Sequence, residues 1–399
     1  MNASKQREEA LSGLYPKMVQ WRRYLHRNPE VSYQEKETAA FIVGVLTELG
    51  CEVRTGLGGY GLIATIKGAL PGPTVALRAD IDALAIQDQK QVEYASQVPG
   101  VMHACGHDGH TATMLAIATY YASVRDRLAG SRRLLFQASE EISPGGALPL
   151  IEYGALEGVD AVYGVHLWTP LPYGVVASRE GAMMASADEF SLEIVGKGGH
   201  GGLPHDTVDA IVVGSDLVMA LQTIVSRQVN PLQPAVVSIG TFQAGHTNNI
   251  IAGHALLKGT VRAFDPTVRD TIRERIQATV SHICGLYGAE GKLDYRMGYP
   301  PVVNDGQEVE RFFRVGRQLL GEEAVQTASM VMAAEDFAYY LHHKPGCFIF
   351  VGAGNEALQS CYAHHHPMFD LDERAMLVSA RLMIELAEDY AASPNEAIL

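Results

Sequence analysis

Cysteine is scarce in this chain. Five occur in 399 residues, at positions 51, 105, 284, 347 and 361, an odd and scattered set. That argues against a disulfide framework, which needs paired cysteines, and fits a reducing cytoplasm. Positive charge is also short: 31 Lys and Arg stand against 45 Asp and Glu, for a net charge of −14. No Lys/Arg cluster offsets the deficit, so nucleic acid, which requires a basic footprint, is not an expected partner. No apolar run reads as long enough to span a bilayer. The polar start, Met1-Asn2-Ala3-Ser4-Lys5-Gln6-Arg7-Glu8-Glu9, lacks the apolar core of a signal peptide. The expectation is a cytoplasmic protein with no membrane partner. Neither a G-x-S-x-G elbow nor an H-E-x-x-H helix is present, so two common hydrolase signatures have no local support.

What remains is ordinary globular material, 47% hydrophobic and 19% charged, long enough for two domains. The spacing of apolar residues predicts helices over 14–28, 35–49 and 108–123. Strands are expected at 62–66, 74–78, 133–137 and 161–165. Strands alternating with helices imply an α/β fold with a largely parallel sheet. Near residue 185 the pattern changes. A strand at 189–195, a helix at 207–229, strands at 235–242 and 251–264, a helix at 267–287 and a strand at 291–297 follow. That β-α-β-β-α-β order is the ferredoxin-like unit. The α/β pattern then resumes with helix 307–320, strand 347–351 and helix 372–391. The expected organisation is a catalytic domain of residues 1–184 and 300–399 with an inserted domain at 185–299. Two G-x-G-x-x-G matches, at Gly56 and Gly196, lack the strand–turn–helix context of a dinucleotide site and read as turn glycines.

Chemistry concentrates in Met102-His103-Ala104-Cys105-Gly106-His107-Asp108-Gly109-His110, which carries three His, a Cys and an Asp within nine residues. A thiolate at Cys105 and an imidazole at His107 can reach one metal cluster, and a metal would hold the thiol deprotonated. Asp108 is a candidate to orient a ligand histidine. His103 and His110 read as supporting or structural. Glu140 and Glu141 follow an apolar strand. On a regular strand they would face opposite ways, but Ile142-Ser143-Pro144-Gly145-Gly146 shows the chain leaving the sheet there. Carboxyl ends of strands are where open α/β sheets place ligands. His166 ends another apolar strand, and His364-His365-His366-Pro367 offers at least one more ligand. Several ligands plus a spare carboxylate are the parts of a metal-dependent hydrolase.

Together these segments resemble the M20 metallopeptidase and amidohydrolase family, in its branch of hippurate, N-acyl-amino-acid and auxin-conjugate hydrolases. The likeness runs through Arg78-Ala79-Asp80-Ile81-Asp82-Ala83-Leu84, the Cys/His segment and the Glu pair. It continues through Gly164-Val165-His166-Leu167-Trp168, Gly196-Lys197-Gly198-Gly199-His200, Gly259-Thr260-Val261-Arg262 and Glu335-Asp336-Phe337. It implies a two-metal catalytic domain and an inserted lid that also dimerises. By that resemblance Cys105, His107, Glu141, His166 and His365 are metal ligands for two divalent ions (Mn, Zn, Co or Ni), and Glu140 is the general base. His365 is selected because the family's last ligand lies two residues before a Pro. His200 and Asn249 match lid positions that approach the substrate, often in the partner subunit's site, and Arg262 matches a lid residue near the substrate carboxylate. Asp80 and Asp82 look like supporting carboxylates. Departures are Thr247-Asn248-Asn249-Ile250-Ile251-Ala252, Ala85 in place of a common Pro, and His364 and His366 flanking His365. They bear on substrate preference more than on reaction type.

The expected activity is metal-dependent hydrolysis of N-acyl amino acids, hippurate-like, in a homodimer. A dipeptidase or carboxypeptidase on the same scaffold is the alternative. A metal-loaded protein that only binds is a further one, opposed by the retention of Glu140.

Overall fold

The structure is a computed structural model and describes residues 3–393. In chain order, α1 (Ala3–Arg27) and α2 (Lys36–Glu48) lead into β1 (Glu52–Leu57), β2 (Gly61–Lys67) and β3 (Leu70–Asp80). Next come α3 (His107–Ser123), β4 (Ala129–Gln137), α4 (Ala147–Glu152), β5 (Ala161–Pro172) and β6 (Val176–Ser178). β7 (Gly181–Met184), β8 (Asp188–Val195), β9 (Gly199–His200), α5 (Ala210–Thr223), β10 (Ala235–Ala244), β11 (Ile250–Ile251), β12 (His254–Ala263), α6 (Pro266–Tyr287) and β13 (Glu290–Met297) follow. The chain closes with β14 (Val302–Asn304), α7 (Gly306–Leu320), β15 (Val325–Thr327), α8 (Ala338–Leu341), β16 (Gly346–Gly354) and α9 (Ala375–Ala392).

The chain divides into two compact units. The first holds residues up to Gly181, Val303–Ser329 and the chain from Asp336 onward; the second holds Ala182–Val302 and Met330–Glu335. The segment expected as the inserted domain, 185–299, lies inside the second unit. The excursion at 330–335 had no signal in the hydrophobic pattern.

The first unit is built on an eight-stranded sheet in the order β1-β2-β4-β3-β5-β16-β6-β15. Its centre, β4-β3-β5-β16, is parallel, as is β15 with β6. β1–β2, β2–β4 and β16–β6 are antiparallel. α3 is buried along most of its length and packs against α1, α9 and β3. That burial explains why its sequence is apolar nearly all round. On α1, Leu11, Met18, Trp21 and Leu25 are buried and recur at helical spacing. The stripe begins at Leu11 and the helix at Ala3, both before the expected start at 14.

The second unit is a four-stranded antiparallel sheet, β10-β12-β8-β13. β8 alternates buried and half-exposed residues, the period of a strand with one covered face. α5 and α6 supply the other half of its core through Val213, Leu217 and Leu221, and Ile272, Ile276 and Val280. Asp209 and Asp265 cap the two helices, each accepting from backbone N–H groups of the first turn. The expected strand 251–264 is broken at Ala252-Gly253, where a Cβ on Gly253 would meet Gly198 N at 2.7 Å. One expectation is corrected here. Ala210–Gln228, 19 residues, is long and apolar enough to cross a membrane by length and composition. The reason is that Ile211, Val212 and Met219 on its exposed side are apolar too, besides the side that fills the core.

Candidate active site

The site of the first unit starts where β3 and β4 end side by side, with Asp80 opposite Gln137 in register. Just beyond, the chain delivers Asp82 from one strand and Glu140–Glu141 from the other. Ser139 makes the second exit possible. It adopts a left-handed φ of 59°, which few non-glycine residues do. The turn is tied down by Glu35, whose Oε1 accepts from Ser139 N at 2.7 Å and from Ser139 Oγ at 3.0 Å. Glu141 N donates to Asp82 Oδ2 at 3.0 Å. At the start of α3, Gly106 takes φ 93° and sets Cys105 and His107 on one cluster.

Two of the donor triads that result contain Cys105. Ligand atoms of Cys105, His107 and Glu141 lie within 4.8 Å of one another, as do those of Cys105, His166 and His364. The tautomers follow from the hydrogen bonds. His107 Nδ1 donates to Asp82 O at 2.9 Å and lies 3.2 Å from Asp82 Oδ1, so Nε2 is the nitrogen left for a ligand. His166 Nδ1 donates to Leu167 O at 3.0 Å, leaving Nε2 bare at 3.4 Å from Cys105 Sγ. His365, at φ 65°, brings Nε2 to 3.3 Å from Glu141 Oε2. Glu140 is buried and close enough to Cys105 to influence its thiol. Cys105, His107, Glu141, His166 and His365 are thus gathered in one place, with Glu140 beside them.

The residues present fit a metal pair. His107 Nε2 and Glu141 Oε1 are buried without a hydrogen-bond partner among the described residues, a costly state unless an ion takes both. The electrostatics agree. Burial lowers His107, but Asp80, Asp82 and Glu141 outweigh it and push it up to about 10. Burial, then Glu141, Glu140 and Asp80, push the Cys105 thiol well up. Protons are compensating a surplus of carboxylates, and a divalent cation would displace both of them.

Two neighbours have other duties. His110 Nδ1 donates to Asp80 Oδ1 at 2.6 Å while Nε2 accepts from Leu167 N at 2.8 Å, so neither nitrogen is left for a metal. Asp108 does not orient a ligand histidine. It accepts from Arg22 Nε at 2.8 Å and His26 Nδ1 at 2.7 Å, on the side of α3 turned toward α1. Asp82 does that work, from a strand end 25 residues upstream. Residues missed at the sequence level are Glu35 and Ser32, whose Oγ donates to Asp82 Oδ2 at 2.7 Å; His364 is one of the three histidines the sequence offers, passed over there for His365. Arg78 also belongs here: Nη1 donates to Asp80 Oδ2 at 2.7 Å and Nη2 to Asp336 Oδ1 at 2.9 Å.

The remaining three candidates lie in the second unit. His200 and Asn249 are neighbours across a two-stranded ribbon, β9 with β11, where His200 pairs with Ile250 and Gly201 N donates to Asn249 O at 2.8 Å. Both are exposed. His200 therefore stands on a hydrogen-bonded ribbon and not on a free loop tip. Arg262, on β12, is half-buried. Its Nη1 donates to Thr260 Oγ1 and to Val261 O, and it makes no ion pair among the described residues.

The family model for peptidase family M20/M25/M40 matches residues 76–389, and the chain belongs to that family. It is 48% identical to YhaA of Bacillus subtilis (strain 168) over 97% of this chain and 98% of that one. It is 45% identical to an N-acyl-L-amino acid amidohydrolase of Geobacillus stearothermophilus, over 72% of this chain and 78% of that one. It is 40% identical to thermostable carboxypeptidase 2 of Saccharolobus solfataricus, over 91% and 92%. Among solved structures, the YXEP protein of Bacillus subtilis, a dinuclear metal binding peptidase from the M20 family, superposes with a TM-score of 0.82. It is 35% identical, covering 96% of this chain and 99% of that one. The protein is an M20-family hydrolase of amide bonds.

Proposed function

We propose that the chain hydrolyses N-acyl amino acids, of the hippurate type, into a carboxylic acid and a free amino acid, using two divalent ions from among Mn, Zn, Co and Ni. The observation that carries this reading is a pair of donor triads sharing Cys105, with Glu140 outside both. Bound there, the ions would polarise the scissile carbonyl and make a water acidic enough to attack at neutral pH. Cys105, His107, Glu141, His166 and His365 would hold them. Asp82 keeps His107 Nδ1 protonated and Nε2 free, which fixes the ring for ligation. Glu140 takes the water proton and returns it to the leaving amine, the task of a buried carboxylate that is not itself a ligand. His200 stabilises the developing oxyanion. Asn249 supplies an amide donor, and Arg262 a planar fork, for the substrate's α-carboxylate. The enzyme works as a homodimer in the cytoplasm.

A carboxypeptidase or dipeptidase reading uses the same site and has support in the carboxypeptidase relative. The test compares hippurate-type acyl amino acids with dipeptides and blocked peptides, with Mn²⁺, Co²⁺, Zn²⁺ or Ni²⁺ added after dialysis against chelator. Higher kcat/KM on acyl amino acids upholds the proposal. A consistent preference for peptides replaces it with the second reading.

A further inference from the structure

We infer that His364 is a metal ligand of this chain, completing one metal position together with Cys105 and His166. The inference rests on the metal-pair reading above and adds a residue which that reading leaves out.

A simple ruler decides the geometry. Metal–sulfur bonds of about 2.3 Å and metal–nitrogen bonds of about 2.0–2.1 Å, at a tetrahedral angle, put the two donor atoms roughly 3.5 Å apart. Cys105 Sγ lies 3.4 Å from His166 Nε2 and 3.7 Å from His364 Nδ1. Both separations are edges of one coordination tetrahedron.

Hydrogen bonding alone does not account for the arrangement as well. His166 Nε2 is an acceptor, because Nδ1 donates to Leu167 O. The thiol can give its one proton to His166 Nε2 and accept from His364 Nδ1–H, so hydrogen bonds can link the three groups, but only through sulfur, a weak partner in both. An ion satisfies the sulfur and both nitrogens at once. The second nitrogen of His364, Nε2, is buried without a hydrogen-bond partner among the described residues. Packing, with a hydrogen bond to the Cys105 backbone, holds the ring. It stacks on Trp168 at 4.5 Å and 26°, and leans on Phe369 at 5.1 Å. Its edge-on approach to His166, 4.9 Å at 87°, aims both imidazoles toward the same sulfur.

His365 does not duplicate the role. With φ in the left-handed region, His365 directs its own ring toward Glu141, at 3.3 Å. His364 thus joins the triad of Cys105 and His166, while His365 faces Glu141 of the other triad, and Cys105 is common to both triads.

The experiment is cobalt titration of the metal-stripped, full-length protein, followed by elemental analysis and by the sulfur-to-cobalt charge-transfer and visible bands. His364→Phe keeps a ring for Trp168 and Phe369 and removes both nitrogens; His364→Gln gives the same comparison without added ring bulk. Wild type should take up two Co²⁺. Both variants should hold the second ion at least ~10²-fold more weakly, with altered visible bands, a loss at the upper end of that known for supporting residues. Two ions bound by the variants with wild-type affinity and unchanged spectra would overturn the role of His364. Failure of wild type itself to bind two ions would overturn the metal-pair reading and this inference with it.

Discussion

Glu35 offers a test of how the carboxylate turn is built. Its side chain is fully buried, Oε1 is spent on Ser139, and Oε2 has no partner among the described residues. Burial, reinforced by the Asp82 charge, pushes its pKa from 4.5 up to about 7. A raised carboxyl pKa means that the folded chain holds the proton more tightly than the unfolded one. The stability this supplies is complete below about pH 4.5 and is lost as pH rises through about 7. At about 1.4 kcal/mol per pH unit, the interval corresponds to roughly 3 kcal/mol. Glu35→Gln keeps an amide oxygen for Ser139 and cannot ionise. The variant's stability relative to wild type should therefore climb by up to about 3 kcal/mol between pH 4.5 and 7 and level off above.

The assay is urea unfolding followed by circular dichroism, on wild type and variant, in half-unit steps from pH 4.5 to 8. Titrations common to both chains cancel in the difference. A difference that stays flat across that range would refute the burial argument. Glu35→Ala probes the other half of the reasoning. It strands the Ser139 N–H, at a cost of about 1–3 kcal/mol, and frees a residue held at φ 59°. The turn should relax and take Glu140 and Glu141 with it. Turnover should fall in Glu35→Ala and be largely kept in Glu35→Gln; equal activity in both would remove the positioning role.

The two glutamates after Ser139 should separate by role. Glu140→Gln is expected to keep its metal and lose about 10²–10⁴-fold in kcat, whereas Glu141→Gln should lose metal by elemental analysis; the reverse pattern would exchange the assignments. For Arg262, an N-acyl amino acid is compared with its α-amide in wild type and Arg262→Ala. Wild type should prefer the acid and the variant should not, and a wild type indifferent to the carboxylate would remove the anchor. Mixing inactive Glu140→Gln subunits with inactive His200→Ala subunits should restore partial activity if His200 serves the partner's site. Confirmed subunit exchange with no recovery would confine His200 to its own chain.

How much of the fold was legible depended on how local its signal was. The ferredoxin-like order of the second unit could be read from period alone, because β8 alternates along one solvated face and α5 and α6 carry caps within their own segments. The parallel centre was legible for the opposite reason: strands buried on both faces read as plain apolar runs. The short strands were not. β6 and β15 are three residues each and acquire strand geometry from each other and from β16, which no window of sequence contains. The break between β11 and β12 was hidden too, since Gly253 looks like any strand glycine until Gly198 is seen against it.

The site divides along the same line, and the division explains an error. Cys105, His107, Glu140 and Glu141 announce themselves by spacing, but the groups that orient them come from far along the chain. Asp108 looked like the partner of His107 because it is adjacent. Adjacency on a helix is evidence against such a pairing, because successive side chains point about 100° apart, and only residues three or four apart share a face. Asp108 accordingly turns to Arg22 and His26 in α1, 86 and 82 residues away. The carboxylate that reaches His107 comes from a loop beyond β3, and the one that fixes Ser139 comes from 104 residues upstream. A strand end beside a helix start needs outside supports of this kind, since neither element can brace a side chain that leaves it. The histidines near the C-terminus pose the same problem in sharper form. His364, His365 and His366 are equivalent as a string, and only the φ of 65° at His365 and the Trp168 ring beneath His364 decide which nitrogen meets which ligand set.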